Sequence, residues 1–436
     1  MARCGSDARR RAYTSEVTFW AFLAQVLSED GSCARAVAGV QSWFCSHGIE
    51  PPSCDNSSYC KARRRLPEQM LEAIHRRLVS DLGRRTHSGL LWCGHNVKAI
   101  DGTTVQLPDT PENQREYPQP EGQKEGCGFP VMQLAGLINL CHGGFEQFVV
   151  SGGKRHDHVL LGSVLDHIGA DEVLVGDRAF CSYEMFARSA GQESWMLVRL
   201  HQKRKVNWRK GKRIGREQRV VRWKRPQQSG RSTLSPDQWA DLPGEMDIRL
   251  VRVKTIGRDG KRKVMYLATN LLDPVRYEAE DFAALYFQRW EIELRFRDLK
   301  TTMRMEKLRT KTPEMARKEA AMFVIAYNAV RSLILLAACG ADTNPWRISF
   351  KGALQVLDTF RPLFRNLHHR PLLRAQMLTE LLLQIAGRQV PERPGRQEPR
   401  AVKSRPKPFP LLNAPRHEYR EILHRSTYRK PADKAA

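Results

Sequence analysis

The spacing of apolar positions changes character twice along this chain, and the changes divide it. From residue 1 to about 90 the period is helical. "EVTFWAFLAQVL" sets Val17, Trp20, Leu23 and Leu27 three and four apart, and "CARAVAGVQSWFCSHG" repeats the pattern before stopping at Gly48. Pro51 and Pro52 break the chain before "SSYCKARRRLPEQMLEAIHRRL" resumes it. Short helices rich in bases suit DNA binding, and a packed helical cap equally well.

From Val97 the pattern becomes that of strands. "VKAIDGTTVQL" (97–107) reads as strand around a turn at Gly102, and "FPVMQLAGLINL" (129–140) and "GFEQFVVSGG" (144–153) as two strands joined through "CHGG". "HDHVLLGSVLDHI" (156–168) is helical, "DEVLVGDRAF" (171–180) a short buried strand, "SYEMFARSAG" a helix capped by Ser182, and "SWMLVRL" (194–200) a strand. Three strands followed by strand–helix alternation predict a mixed sheet with helices on its faces.

Then the alternation stops. Residues 201–231 hold thirteen Lys/Arg and one acid, Glu217, with Trp208 and Trp223 among them. "GEMDIRLVRVKTIG" alternates again, so this stretch reads as a basic β-rich insertion, closed by the strand "KVMYLATNLL" before Asp273-Pro274. Bases beside aromatics suit phosphates and unstacked bases. One long helix is expected from residue 278 to about 304. Thr312 caps another that runs to about Ala338. Its apolar run "MFVIAYNAVRSLILLAAC" carries Asn328 and Arg331 and reads as a buried helix. The C-terminal "RPGRQEPRAVKSRPKPFPLL" is basic and expected to be extended, with a short basic tail from Arg416. The expected division is 1–95 helical, 96–200 sheet, 201–272 insertion, 273–340 the two long helices, and 341–436 a helical and basic tail region.

Charge then narrows the partner. Lys and Arg number 72 against 47 acids, a net of +25 with an isoelectric point near 9.9, and a polyanion is the usual reason for such a balance. A membrane partner is not expected. The N-terminus has no secretory hydrophobic run. The ten cysteines form no C-x-x-C pair, and Cys93 with His95 is too little for a zinc site, so reduced thiols in a cytoplasm are expected.

Within "ALYFQRWEIELRFRDLK" (284–300), an ideal helix sets Tyr286, Arg289, Glu293 and Lys300 on one arc of about 60°. The apolar ladder Leu285, Ile292, Phe296, Leu299 and Met303 lies beside that arc. Glu293 therefore borders the buried stripe, where a carboxylate is costly, whereas Glu291 and Asp298 face solvent. Phosphodiester chemistry with two hard metal ions needs several carboxylates. Asp101 and Asp177, each at the end of an apolar strand run, are the candidates, provided that their strands are neighbours. Asp109, Asp157, Asp166 and Asp171 are alternatives in loops, on a helix or at a strand start.

The spacing Y-x2-R-x3-E-x6-K formed by Tyr286, Arg289, Glu293 and Lys300 resembles the signature of bacterial transposases of the insertion sequence 4 family. "AIDGTTVQLPDT" and "VGDRAF" are similar to its two aspartate contexts, and "PSCDNSSYCKARRRLP", "KTPEMARKEAAMFVIAYNAVR" and "EPRAVKSRPKPFPLL" extend the likeness over most of the chain. The resemblance implies an RNase H-like mixed sheet flanked by helices, with a β-rich insert and helical N- and C-terminal regions. It implies a DDE triad of Asp101, Asp177 and Glu293 holding two Mg²⁺ ions, with Mn²⁺ as substitute. It implies metal-dependent cleavage at transposon ends and cut-and-paste strand transfer into target DNA.

Tyr286, Arg289 and Lys300 are then expected to hold phosphates, with Arg178, Arg297, Trp290, Arg209, Lys210, Lys212 and Arg213 as further DNA contacts. The implied partners are terminal inverted repeats, target DNA and a second copy in a synaptic dimer, in a bacterial cytoplasm at the nucleoid. Some relatives stabilise a flipped base with a Trp shortly before the signature. None stands there here, leaving Trp208, Trp223 or Tyr266. The rival readings are an RNase H-like nuclease without strand transfer and a domesticated DNA-binding descendant.

Overall fold

The computed structural model describes residues 12–124, 126–152, 165–204, 206–230, 232, 234–256, 262–365, 367, 369–391, 414–415, 418, 421–422 and 427–428. The helix expected at 156–168 lies almost wholly outside these residues, as do Asp157 and most of the basic C-terminal stretch. The chain divides into two compact units, residues 1–85 with 298–406, and residues 86–297 with 407–436.

The first unit is helical. It contains α1 (Ser15–Leu27), α2 (Cys33–Ser46), α3 (Asn56–Arg65) and α4 (Glu68–Arg84). Thr14, Ser32 and Asp55 cap the first three by accepting a backbone N–H each. Gly48, at φ +66, follows the end of α2 where a left-handed residue is needed. The helical reading of α1 holds, but its buried face is Phe19, Phe22 and Val26, and Trp20 is 59% exposed. The helix is apolar nearly all round, so periodicity could not choose between its faces.

The second unit is a nine-stranded sheet in the order β3-β2-β1-β4-β5-β9-β8-β7-β6. The strands are β1 (Val97–Gln106), β2 (Val131–Asn139), β3 (Phe145–Ser151), β4 (Val173–Gly176), β5 (Trp195–Arg199), β6 (Lys212–Gly215), β7 (Gln218–Lys224), β8 (Glu245–Ile256) and β9 (Arg262–Thr269). β1, β4 and β5 are parallel, and the other pairings are antiparallel, which makes the sheet mixed as expected. Strands β6 to β9, from the basic stretch, extend this same sheet through the β5–β9 pairing. β1 does not turn at Gly102. It runs straight through, because β2 pairs with it residue for residue from Lys98 to Gln106.

Helices α5 (Pro111–Glu116), α6 (Tyr183–Gly191) and α7 (Pro236–Ala240) accompany the strands, and Ser182 caps α6 by accepting from Met185 N. The expected helix from 278 to about 304 is broken. α8 (Ala279–Gln288) gives way at Arg289 and Trp290 to α9 (Glu291–Arg297), and a π-helical turn, Asp298–Thr302, follows. The last elements belong to the helical unit: α10 (Pro313–Gly340), α11 (Phe350–Arg365) and α12 (Pro371–Ala386). α10 is capped by Thr312 and is long and apolar enough to cross a membrane. Most of its apolar window is buried within the protein, and Asn328 and Arg331 are buried with it, as in a core helix.

Candidate active site

The register of the parallel strands sets the site. β1 pairs with β4 from Val97↔Val173 to Ala99↔Val175, where the ladder ends, and the same register continued two residues sets Asp101 against Asp177. β4 pairs with β5 as Val173↔Trp195 and Gly176↔Val198, which brings Arg199 level with Asp177. Parallel neighbours lie about 4.8 Å apart and point the same way when level. One row therefore crosses the carboxyl-terminal ends of three strands as Asp101, Asp177 and Arg199. Asp101 and Asp177 both line a cleft of about 270 Å³, with Gly102, Thr103, Gln133 and Phe180.

Small residues shape this row. Gly136 on β2 is the partner of Asp101. A Cβ there would lie 2.7 Å from the Phe145 ring and 3.1 Å from Phe296 of α9. The glycine thus lets α9 lie close on the face that carries Asp101. Gly176 works alike: the 3-10 turn Arg178–Phe180 folds the Phe180 ring onto it, where a Cβ would be 2.9 Å away. Asp177 caps that turn, its Oδ1 accepting from Ala179 N at 2.8 Å. Asp101 Oδ1 similarly accepts from Gly102 N at 2.8 Å. These contacts are the physical content of the "D-G" and "G-D-R-A-F" patterns.

α8 brings cations. Tyr286 is 5% exposed, and Arg289 is also buried. Arg289 Nη1 is 3.6 Å from Asp101 Oδ2, its Nε is buried without a hydrogen-bond partner, and its guanidinium lies 4.9 Å from the Trp290 ring centre. Burial raises the Tyr286 phenol above its ordinary value, while Arg289 and Arg199 pull it down and Asp177 pushes it up. Tyr286 is therefore a neutral donor at physiological pH. Arg199 escaped the sequence reading because only strand register reveals it.

Glu293 departs from expectation. It is exposed, not at the edge of the buried stripe, and Asp298, expected in solvent, is buried. Both follow from one distortion. Ile292 N bonds Arg289 O at 3.1 Å and Glu293 N bonds Trp290 O at 3.2 Å, so the chain is wound in 3-10 fashion here. A 3-10 turn advances roughly 20° more per residue than an α-helix, or about 80° from Arg289 to Glu293. Beyond this tightened turn Arg295 and Asp298 are buried, while Glu293 and Trp290 are exposed. Arg295 is indeed buried and paired with Glu291 at 3.1 Å, and Trp290 is 53% exposed. The apolar ladder Leu285, Ile292, Phe296, Leu299 and Met303 is buried throughout.

The remaining expected contacts are dispersed. Arg178 is exposed and donates to Gln202 Oε1 at 2.9 Å. Arg297 is exposed at the end of α9, and Arg209, Lys210, Lys212 and Arg213 are exposed before and on β6. Lys300 stands in the π turn, in the helical unit, where burial lowers its ammonium below the ordinary value against the pull of Glu306. Trp223 is buried under Arg204 and is excluded as a partner for a flipped base. Trp208 is held between Arg219 and Arg252 and against Tyr266.

The carboxylates fit a hard divalent ion in kind, since Asp and Glu oxygens are its preferred donors. The Arg289 guanidinium beside Asp101 opposes a second cation there, so a metal at this carboxylate depends on further acidic donors to offset it. Among the described residues, however, no three His, Cys, Asp or Glu side chains are gathered closely enough to hold a metal together.

The family described as "Transposase DDE domain" matches residues 92–329. The chain is similar to Transposase InsG for insertion sequence element IS4 of Escherichia coli K12, 26% identical over 363 residues, which cover 81% of this chain and 78% of that one. It is also similar to Putative transposase InsZ of the same organism, 28% identical over 130 residues, 30% of this chain and 44% of that one.

Proposed function

This chain belongs to the transposase DDE domain family, and on that premise we propose that Asp101, Asp177 and Glu293 are its acid triad. It is a transposase that acts on DNA, and its family works with divalent metal ions. The reading is carried by the row formed by Asp101 and Asp177 at the ends of two parallel strands, lining one cleft. Glu293 is the third donor, from α9. Two Mg²⁺ ions are the metal we propose, with Mn²⁺ as substitute. Bound there, metal supplies a Lewis acid that activates water or a DNA 3′-hydroxyl and offsets charge on the leaving oxygen.

The chain's own residues do the rest. Backbone N–H groups of Gly102 and Ala179 orient the two aspartates. Arg289 and Arg199 offer charge to a scissile or neighbouring phosphate, Tyr286 offers a neutral O–H, and Lys300 a further ammonium. Trp290, just before α9, and Arg297, at its end, are presented to DNA, and the bases Arg178, Arg209, Lys210, Lys212 and Arg213 track its backbone. The helices of residues 1–95 recognise the element's end, and two copies join two ends before cut-and-paste transfer.

The discriminating experiment exchanges neighbouring acids. Glu293→Gln abolishes Mg²⁺-dependent nicking of a DNA end, whereas Glu291→Gln, which breaks only the pair with Arg295, keeps it. Undiminished cleavage by Glu293→Gln would remove that residue from the triad.

A further inference from the structure

Two cysteines far apart in sequence meet in the helical unit. Cys33 is the first residue of α2 and Cys60 lies within α3, yet their Sγ atoms are 3.8 Å apart. Both are half-buried. Arg63, nearly one turn after Cys60, points Nη2 at both sulfurs, 3.3 Å from Cys33 and 3.9 Å from Cys60. Its Nη1 donates to Gln25 Oε1 at 3.2 Å, an oxygen that also accepts from the Tyr59 hydroxyl at 2.7 Å. The rings of Phe22 and Tyr59 lie 5.0 and 5.1 Å from the guanidinium. The cation is therefore held in place beside the two thiols.

We propose that Cys33 and Cys60 form a redox-modifiable dithiol that closes to an intramolecular disulfide on reaction with a hydroperoxide. The sulfurs are already in contact, and a bond of about 2.0 Å requires a further approach of about 1.8 Å, within the reach of side-chain rotation. Arg63 and the N-terminal end of α2 offset part of the cost that burial sets on the thiolate, the nucleophilic form. One thiolate attacks the peroxide O–O bond and becomes a sulfenic acid, and the oxygen that leaves takes a proton to form water. The second thiol displaces the sulfenic hydroxyl, which leaves as a second water as the S–S bond forms. The two sulfurs together lose two electrons, and the peroxide gains them. Burial raises the Cys33 thiol above its ordinary value and Arg63 opposes this, so the reaction quickens as pH rises.

Full-length protein treated with excess hydrogen peroxide, alkylated and digested is the test. The expected result is a peptide in which Cys33 is joined to Cys60, with the loss of two hydrogens from the intact mass and full reversal by dithiothreitol. The exposed thiols of Cys45, Cys54, Cys93 and Cys339 serve as internal controls for simple accessibility. Cys33→Ser and Cys60→Ser each abolish the crosslink, and Cys45→Ser keeps it. The wild-type peptide map needs no variant to fold. Oxidation of the exposed cysteines while Cys33 and Cys60 both remain alkylatable, or their passage to sulfinic acid without a crosslink, overturns the proposal.

Discussion

β1 carries charge on both its faces and uses it in opposite ways. On one face Lys98, 7% exposed, is fully satisfied: its Nζ lies 2.6 Å from Glu146, 2.6 Å from Glu172 and 3.0 Å from the carbonyl of His167. Asn139 joins the cluster by donating to Glu146 at 2.7 Å and to Asn96 at 2.8 Å. Burial alone would depress the Lys98 ammonium, but Glu146 and Glu172 outweigh it and hold it above its ordinary value. On the other face Asp101 stands level with Asp177 in a cleft, and its cation, Arg289, is 3.6 Å away with a buried nitrogen unpartnered. The first cluster is closed and holds three strands together. The second keeps like charges side by side at strand ends, which costs stability and leaves charge for a ligand. The difference teaches that the structural ion cluster saturates its donors, while the cluster proposed to bind metal does not.

Five changes test this division, taken from the largest effect to the smallest. Asp177→Asn lowers metal-dependent cleavage of a DNA end by on the order of 10³-fold or more, with melting close to that of the wild type. Lys98→Met does the reverse: it removes the cation from the half-buried Glu146 and Glu172 and costs up to about 3 kcal/mol in denaturant unfolding, while activity per folded molecule persists. The same cluster sets an acid limit. Burial pushes the Glu146 carboxyl up, but His142 and Lys98 outweigh it and hold it at about 2, against an ordinary 4.5. Its contribution to stability is complete above about pH 4.5 and fades as the pH falls toward about 2, so Glu146→Gln flattens the stability curve over that window.

Gly136→Ala drives a methyl into Phe145 and Phe296 and costs about 1–3 kcal/mol. Because it lifts α9 from the face of Asp101, cleavage falls further than stability does. Arg199→Ala is mildest. It leaves folding intact, weakens DNA binding, and reduces the slope of binding against salt by about 1 in fluorescence titrations.

Much of this was legible in the sequence. The strands of "VLVG" and "WMLVR" and the caps at Ser182 and Thr312 are local decisions of period and hydrogen bonding, and they stood where the pattern put them. The aspartate contexts were legible for the same reason, since Gly176 and Phe180 are a single local turn. What could not be read depends on partners. That β1 and β4 are neighbours, and hence that Asp101, Asp177 and Arg199 form a row, is a matter of register between segments some 76 residues apart. The orientation of Glu293 was misread because an ideal helix was assumed through Arg289 and Trp290, where the turn tightens. The buried face of α1 was not legible, because a nearly all-apolar helix offers several stripes and only packing selects one.

One face of β1 is thus proposed to do the chemistry, and the other holds the sheet. The direct measurement is the rate at which Asp101→Asn nicks a labelled DNA end in Mg²⁺ or Mn²⁺, normalised to native protein by circular dichroism. The expected result is a wild-type spectrum and melting curve with no detectable nicking. Nicking at the wild-type rate by a folded Asp101→Asn protein would contradict it.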